Sequence, residues 1–455
     1  MNRVAELFVP YYPPRPPRPP RYGGFLRTVF GKHARNGVSG WSQLAFEEWY
    51  VKRSLLGRTI HFPRHPDAIE HVLLGNAANY IRPDMIRRIF APFIGESLFS
   101  ANGELWRTQR KLVAASFSPT AVLRMTALMG SAARRHMADW PEQGSIDIAR
   151  IATETTMQVI ADALFSGDPR LVTPEAMRHI ENGLVAVGTI RLTALLGFPE
   201  LRLGPRAWRG VRGRKFLRGK LEALLRERGP EGGDDFIGGL IRSLHGIFPP
   251  EQAEKLAIDN AATFYVAGHE TTANALSWSI YLLANTPEIQ ERAREEAKAG
   301  LAGGELATLP DRLPYLRQIV DEALRLYPPA PRLEREAAED DIWPDGTRVG
   351  KGDSVSLWPW LVHRHTKLWD NPDAFDPDRF APGTEATRHR FQYIPFGGGP
   401  RVCVGARFAT VEALVILAHW LAARRLAPVR GFVPNPVATV TLRPQGGLWV
   451  RVSPA

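Results

Sequence analysis

Apolar residues recur at three- and four-residue spacing along most of the chain, the periodicity of helices that bury one face. The pattern predicts helices over residues 103–117, 147–165, 252–284, 287–302, 314–326 and 404–424. Pro287 directly follows the longest of these runs and fits a first helical turn, where the missing N–H removes no bond. Alternating, β-branched stretches are fewer. TIHFP (59–63), RVGKGDSVSLW (348–358), VATVTL (437–442) and GLWVRV (447–452) read as strands, the last two paired through a turn at RPQGG. Prolines and turn formers over 368–400 predict a long ordered loop. No fixed-period repeat is visible, so the expectation is one mainly α domain with a minor β region.

Composition narrows the class without naming a function. With 44% hydrophobic and 23% charged residues the chain can bury a sizeable core. The formal net charge of +11 admits a nucleic acid, an anionic membrane or an acidic protein as partner. No zinc-finger or RNA-recognition signature accompanies the charge, so nucleic acid is not expected. PPRPPRPPR (13–21) predicts polyproline II, whose three-residue turn aligns Arg15, Arg18 and Arg21, and residues 1–22 are read as a stiff strap leading into one domain over 23–455. LRLGPRAWRGVRGRKFLRGK (201–220) places Arg202, Arg206 and Arg209 on one face of a solvated basic helix. No uninterrupted apolar run of about 18 residues and no signal-peptide pattern is found, which predicts a cytoplasmic protein without a transmembrane segment.

A single cysteine, Cys403, excludes an intramolecular disulfide and a structural zinc site of several cysteines. It stands in PFGGGPRVCVGARFA (395–409), between three glycines and the start of a predicted helix. The glycines permit a tight turn and close approach to a large flat ligand, and amide N–H groups at a helix start favour a thiolate. Other chemistries fail on spacing. HETTA at His269 has alanine where a zinc protease needs its second histidine, and GTRVGKG is too short for a phosphate loop. Val402 occupies the third glycine position of a dinucleotide fingerprint.

Three further motifs need explaining with Cys403. In AGHETT (267–272), Gly268 and two adjacent threonines sit against helix propensity, and a Thr271 hydroxyl bonding back to the Ala267 carbonyl would loosen the ladder locally. In EALRLYPP, Glu322 and Arg325 share a helix face, and PDRF (377–380) supplies Arg379 as a third charge. In GELWRTQRK, Trp106 and Arg110 lie four residues apart on one face.

Read as F-x-x-G-x-R-x-C-x-G, the cysteine segment resembles the proximal loop of the cytochrome P-450 superfamily of haem-thiolate monooxygenases. AGHETT, E-x-x-R, PDRF and W-x-x-x-R stand in the family's order over residues from about 57 to 452. Val404 replaces the usual isoleucine. The resemblance is to the soluble bacterial type without a fused reductase, and it implies the family's triangular helical prism with a small β-rich side. It implies haem b held by Cys403 as axial iron ligand, with Trp106, Arg110, Arg335 and Arg401 on the propionates and Ala267, Gly268, Phe396 and Gly405 lining the cofactor. Glu270 and Thr271 would support proton delivery, and Glu322, Arg325 and Arg379 would brace the cysteine loop. By family position the substrate pocket includes Thr263, Ala330, Arg332 and Val437 within segments 80–99, 190–203, 263–267, 330–333 and 437–440, with Arg332 open to a substrate carboxylate.

The implied activity is reductive activation of O2 to hydroxylate a lipophilic small molecule of the fatty acid, terpenoid or polycyclic class. Electrons would come from an external ferredoxin or flavodoxin with its NAD(P)H reductase, steered by Arg107, Lys111 and Arg407 to a monomeric enzyme. The alternatives are a thiolate-haem isomerase or peroxygenase, or a haem-binding sensor. The intact Glu270 and Thr271 pair favours the monooxygenase, because reactions that bypass oxygen activation need no such proton route.

Overall fold

The longest apolar-periodic run folds as one helix, Pro250–Ala284, entered through Pro249 and Pro250. It is buried on nearly every side because other helices surround it. The computed structural model describes residues 10–22, 36–55, 58–188, 205–229, 233 and 235–455. The expected pocket segment 190–203 and Arg202 lie outside these residues, as does the side chain of Arg206.

Ile148–Phe165 packs across this central helix, and the Asp147 carboxylate caps it by accepting from the Ala149 N–H. Where the two cross, a Cβ on Gly268 would overlap the Ile160 side chain. Helix packing therefore supplies a reason for Gly268 that the motif alone does not. Pro287–Ala302 and Pro314–Leu326 occupy their expected spans. The helix after the cysteine is Ala406–Ala423, two residues later at its start than the periodicity predicts, because the turn Gly399–Arg401 and the cap residue Gly405 extend the loop.

Two strand expectations are corrected. RVGKGDSVSLW is not one strand: Gly352, at φ 81°, ends the ladder. Arg348–Val349 pairs with Asp341–Ile342, while Ser354–Leu357 enters a five-stranded sheet between Arg58–Pro63 and Leu333–Ala337. Nor do VATVTL and GLWVRV form a hairpin through RPQGG. Asn435–Ala438 pairs with Leu442–Gln445 across residues 439–441, and Trp449–Pro454 joins Gly144–Asp147 and Arg424–Pro428 in a different sheet. Gly446 and Gly447, at φ 79° and 95°, redirect the chain from one sheet to the other, and a Cβ on Gly447 would run into the Asp147 carboxylate.

The proline-rich segment lies along the protein surface as the three-residue period requires. Arg15 and Arg18 both reach Asp373, at 3.1 and 2.6 Å, and Arg18 covers the Phe46 ring at 3.6 Å. The Tyr327 hydroxyl donates to the Pro14 carbonyl at 2.6 Å, and Arg21 is exposed. The main apolar core surrounds the central helix, and a smaller one beneath the five-stranded sheet gathers Ile69, Val72, Tyr80, Trp343, Val355 and Phe391.

Candidate functional site

Backbone bonds close the cysteine loop before any side chain acts. The Cys403 N–H donates to the Phe396 carbonyl at 3.0 Å, Val402 to Gly399 at 3.1 Å, and Gly397 to Ile394 at 3.0 Å. Gly397 and Gly399 stand at φ 74° and 64°, and a Cβ on Gly399 would overlap the Leu73 carbonyl, so the turn requires glycine there. Burial pushes the Cys403 thiol up, while the Gly405 backbone N–H and the charge of Arg110 pull it down. Burial lowers Arg110 in turn, and Cys403 opposes that.

Cys403 keeps open surface although dense protein surrounds it. Ala267 does the same in the middle of the central helix, flanked by buried Val266 and His269. The central helix packs on the helix that follows the cysteine loop. On the Ala267 side the Thr271 hydroxyl donates back to the Ala267 carbonyl at 2.9 Å, the bond the sequence led us to expect.

Arginines crowd the same region. Arg335 is buried and pushed down to about 10, with Glu334 opposing. Burial and the charge of Arg335 push Arg401 down to about 10 as well. Arg82 is held well below the usual arginine range, first by burial and then by repulsion from Arg335 and Arg401. The Arg401 guanidinium lies 4.4 Å from the Trp106 ring centroid and donates to the Ala101 carbonyl at 3.0 Å and to Asn102 Oδ1 at 2.8 Å. Asn102 Oδ1 also accepts from the Arg82 N–H at 3.0 Å. Among the described residues these three cations, Arg335 buried and Arg82 and Arg401 half-buried, repel one another, and Glu334 offsets Arg82 and Arg335 only in part, so the cluster favours further negative charge. Two propionates supply it, so the residues present fit haem.

Asn102 was not expected from the sequence, and Arg82 was expected only as part of the pocket segment 80–99. No motif marks them, and Arg82 comes near Arg335 only because Ile81 pairs with Glu336 in the sheet. Thr441 was missed too. Its hydroxyl donates to Glu270 Oε1 at 2.7 Å. Burial pushes the Glu270 carboxyl up, the Thr441 bond and Arg443 oppose this, and Glu181 adds to it. His269, buried and pushed down to about 4, stays neutral with Nδ1 against the Tyr265 carbonyl at 2.8 Å.

The predicted charge network is assembled. Arg325 donates to both Glu322 oxygens at 2.6 and 2.7 Å and to the carbonyls of His363, Pro372 and Ala374. Arg379 Nε stands 3.6 Å from Glu322. His363 Nε2 accepts from the Ile394 N–H at 2.9 Å, which carries the bracing on to the loop of Cys403.

Among the expected pocket residues, Thr263 bonds back to the Asp259 carbonyl at 2.9 Å, and Ala330 and Val437 are half-buried. Arg332 is half-buried, with its Nε 3.8 Å from Glu334 Oε1. On the surface, Arg107 pairs with Glu104 at 2.8 Å, and Lys111 and Arg407 are exposed.

A sequence profile of the family described as Cytochrome P450 matches residues 49–449. Relatives include Cytochrome P450 4A6 of Oryctolagus cuniculus, 29% identical over 92% of this chain and 87% of that protein. Cytochrome P450 4A10 of Rattus norvegicus is 30% identical over 80% and 76%, and the Taurochenodeoxycholic 6 alpha-hydroxylase of Sus scrofa 28% over 85% and 80%. The crystal structure of the cytochrome P450DA heme domain superposes with a TM-score of 0.78 at 23% identity, covering 98% of both chains, which establishes the mainly α fold with its small β region.

These mammalian relatives overturn the expected soluble bacterial type. The expected absence of a transmembrane segment, and cytoplasmic placement with it, is corrected as well. Ala406–Ala423 is long and apolar enough to cross a membrane by length and composition, although most of it is buried here against other helices. Counting uninterrupted apolar residues overlooked it because Arg407, Glu412 and His419 break the run.

Proposed function

The chain belongs to the cytochrome P450 family, and from that premise we propose that it hydroxylates a lipophilic substrate of the fatty acid, terpenoid or polycyclic class. It is a haem-dependent oxidoreductase with haem b as cofactor. When bound, the haem supplies the iron at which O2 is reductively activated for insertion into a C–H bond, as is general for cysteine-ligated haem.

The observation that carries this reading is the pairing of one exposed thiol with an excess of clustered arginine charge. Cys403 holds the iron as a thiolate, favoured by the Gly405 N–H and Arg110. Arg82, Arg335 and Arg401 hold the propionates, with Trp106 and Asn102 fixing the Arg401 fork. Phe396 anchors the cysteine backbone through its carbonyl. Glu270 and Thr271 move protons on the central helix, where burial keeps the Glu270 carboxyl in reach of its protonated form. That pair supports oxygen activation over the isomerase, peroxygenase or sensor readings, which do not use it. The likeness to the Taurochenodeoxycholic 6 alpha-hydroxylase of Sus scrofa supports hydroxylation as the reaction.

The reduced protein under carbon monoxide tests the site: a Soret maximum typical of thiolate ligation is expected, and its absence in folded, haem-loaded protein overturns the reading. Screening fatty acids, terpenoids and polycyclic compounds for a low-to-high spin shift then tests the substrate classes.

A further inference from the structure

Thr441 lies in the connection 439–441 between Asn435–Ala438 and Leu442–Gln445. That connection is anchored from several sides. The Leu442 N–H donates to the Pro329 carbonyl at 2.9 Å, the Ala438 N–H to Asn36 Oδ1 at 2.9 Å, and both residues are buried. Thr441 itself is buried, and its hydroxyl points at Glu270.

The other charged groups around Glu270 are already engaged. Arg443, on Leu442–Gln445, and Glu181, on Pro174–Gly188, pair with each other at 3.3 Å. Neighbouring His269 is neutral and bonded within the helix, and the Thr271 hydroxyl is directed at the Ala267 carbonyl. The orientation of the Glu270 carboxyl is therefore set from outside the helix, by Thr441.

We propose that Thr441 is a positioning residue for Glu270, holding its carboxyl turned toward the C-terminal hairpin in the resting protein and so linking that hairpin to the proton route. The proposal rests on the reading of Glu270 as a proton donor. A hydrogen bond donated to a carboxylate favours its ionised form, so losing the bond raises the pH at which Glu270 ionises.

Thr441→Val keeps the side-chain shape and removes the donor, while Thr441→Ser keeps the donor. Infrared titration of the resting holoprotein, with Glu270→Gln to assign the carboxyl band, reads the effect without turnover. In Thr441→Val the ionisation moves up by roughly 0.5–1 pH unit, and Thr441→Ser stays close to the parent protein. During turnover of a spin-shifting lipophile, Thr441→Val forms less product per electron pair and shows a larger solvent deuterium effect, and Thr441→Ser restores both. An unmoved carboxyl band in Thr441→Val, or a serine variant as impaired as the valine one, overturns the proposal. Failure of the proton-donor reading shows separately, as a Glu270→Gln variant with unaltered coupling and isotope effect.

Discussion

The Arg401 guanidinium rests 4.4 Å from the Trp106 ring centroid, joining the cysteine loop to the helix Gly103–Ala114. The two residues come from motifs nearly three hundred positions apart. Their contact explains why an arginine stays oriented in a region already crowded with positive charge: the ring face attracts the cation, and Asn102 takes its hydrogens.

Arg401→Leu removes the cation–π contact and two hydrogen bonds donated by a charged group. At about 1.5–3 kcal/mol for charged-group bonding, haem affinity falls roughly ten- to hundredfold. Trp106→Phe keeps an aromatic face and costs less, about 0.5–1 kcal/mol. Haem transfer to a scavenger protein measures both, and retention equal to the parent protein in Arg401→Leu would count against the assigned role.

Gly268→Ala forces a methyl group into the Ile160 side chain where the two helices cross. Overpacking of this kind costs about 1–3 kcal/mol. Pairing it with Ile160→Ala frees the space, so the double variant is less destabilised than the sum of the two single changes. Denaturant midpoints in a double-mutant cycle decide the matter, and strict additivity would mean the contact is not what demands glycine.

Several histidines are buried neutral, and each weakens the fold on mild acidification. His363 is pushed down to about 3, and His269 and His365 to about 4, each chiefly by burial. Between those values and the unfolded value near 6.5, each of these rings binds more protons unfolded than folded, so its own contribution to stability rises with pH, while buried carboxyls held up by burial, such as Glu412, contribute with the opposite sign. Each such histidine contributes a slope of up to about 1.4 kcal/mol per pH unit. Urea midpoints between pH 4.5 and 6.5, compared between the parent protein and His363→Gln, measure the share of one ring: the variant should lose a slope of up to about 1.4 kcal/mol per pH unit. Identical slopes in the parent and His363→Gln would show that this ring is not held neutral.

The readable features were local ones. The Thr271 bond to Ala267, the Glu322–Arg325 pair and the spans Pro287–Ala302 and Pro314–Leu326 all arise from spacing within one helix, where the backbone sets which side chains meet. The cysteine loop was readable for the same reason, since its glycines and thiol lie within ten residues. Strand partners were not, because a strand's side chains state which face is buried and leave open which neighbour completes the ladder. RPQGG looked like a hairpin turn and instead carries the chain between two sheets.

By itself, the sequence determined the iron ligand candidate, the bracing charges and the order of the helices, because each is encoded in the spacing of a few neighbouring residues. Only the tertiary structure decided which distant groups complete the site. Arg82 reaches Arg335 through sheet register, Thr441 reaches Glu270 through the C-terminal hairpin, and Arg401 reaches Asn102 across the cysteine loop. Charges and hydrogen bonds act over a few ångströms of space whatever their separation along the chain, so these partnerships exist only once helices cross and strands align.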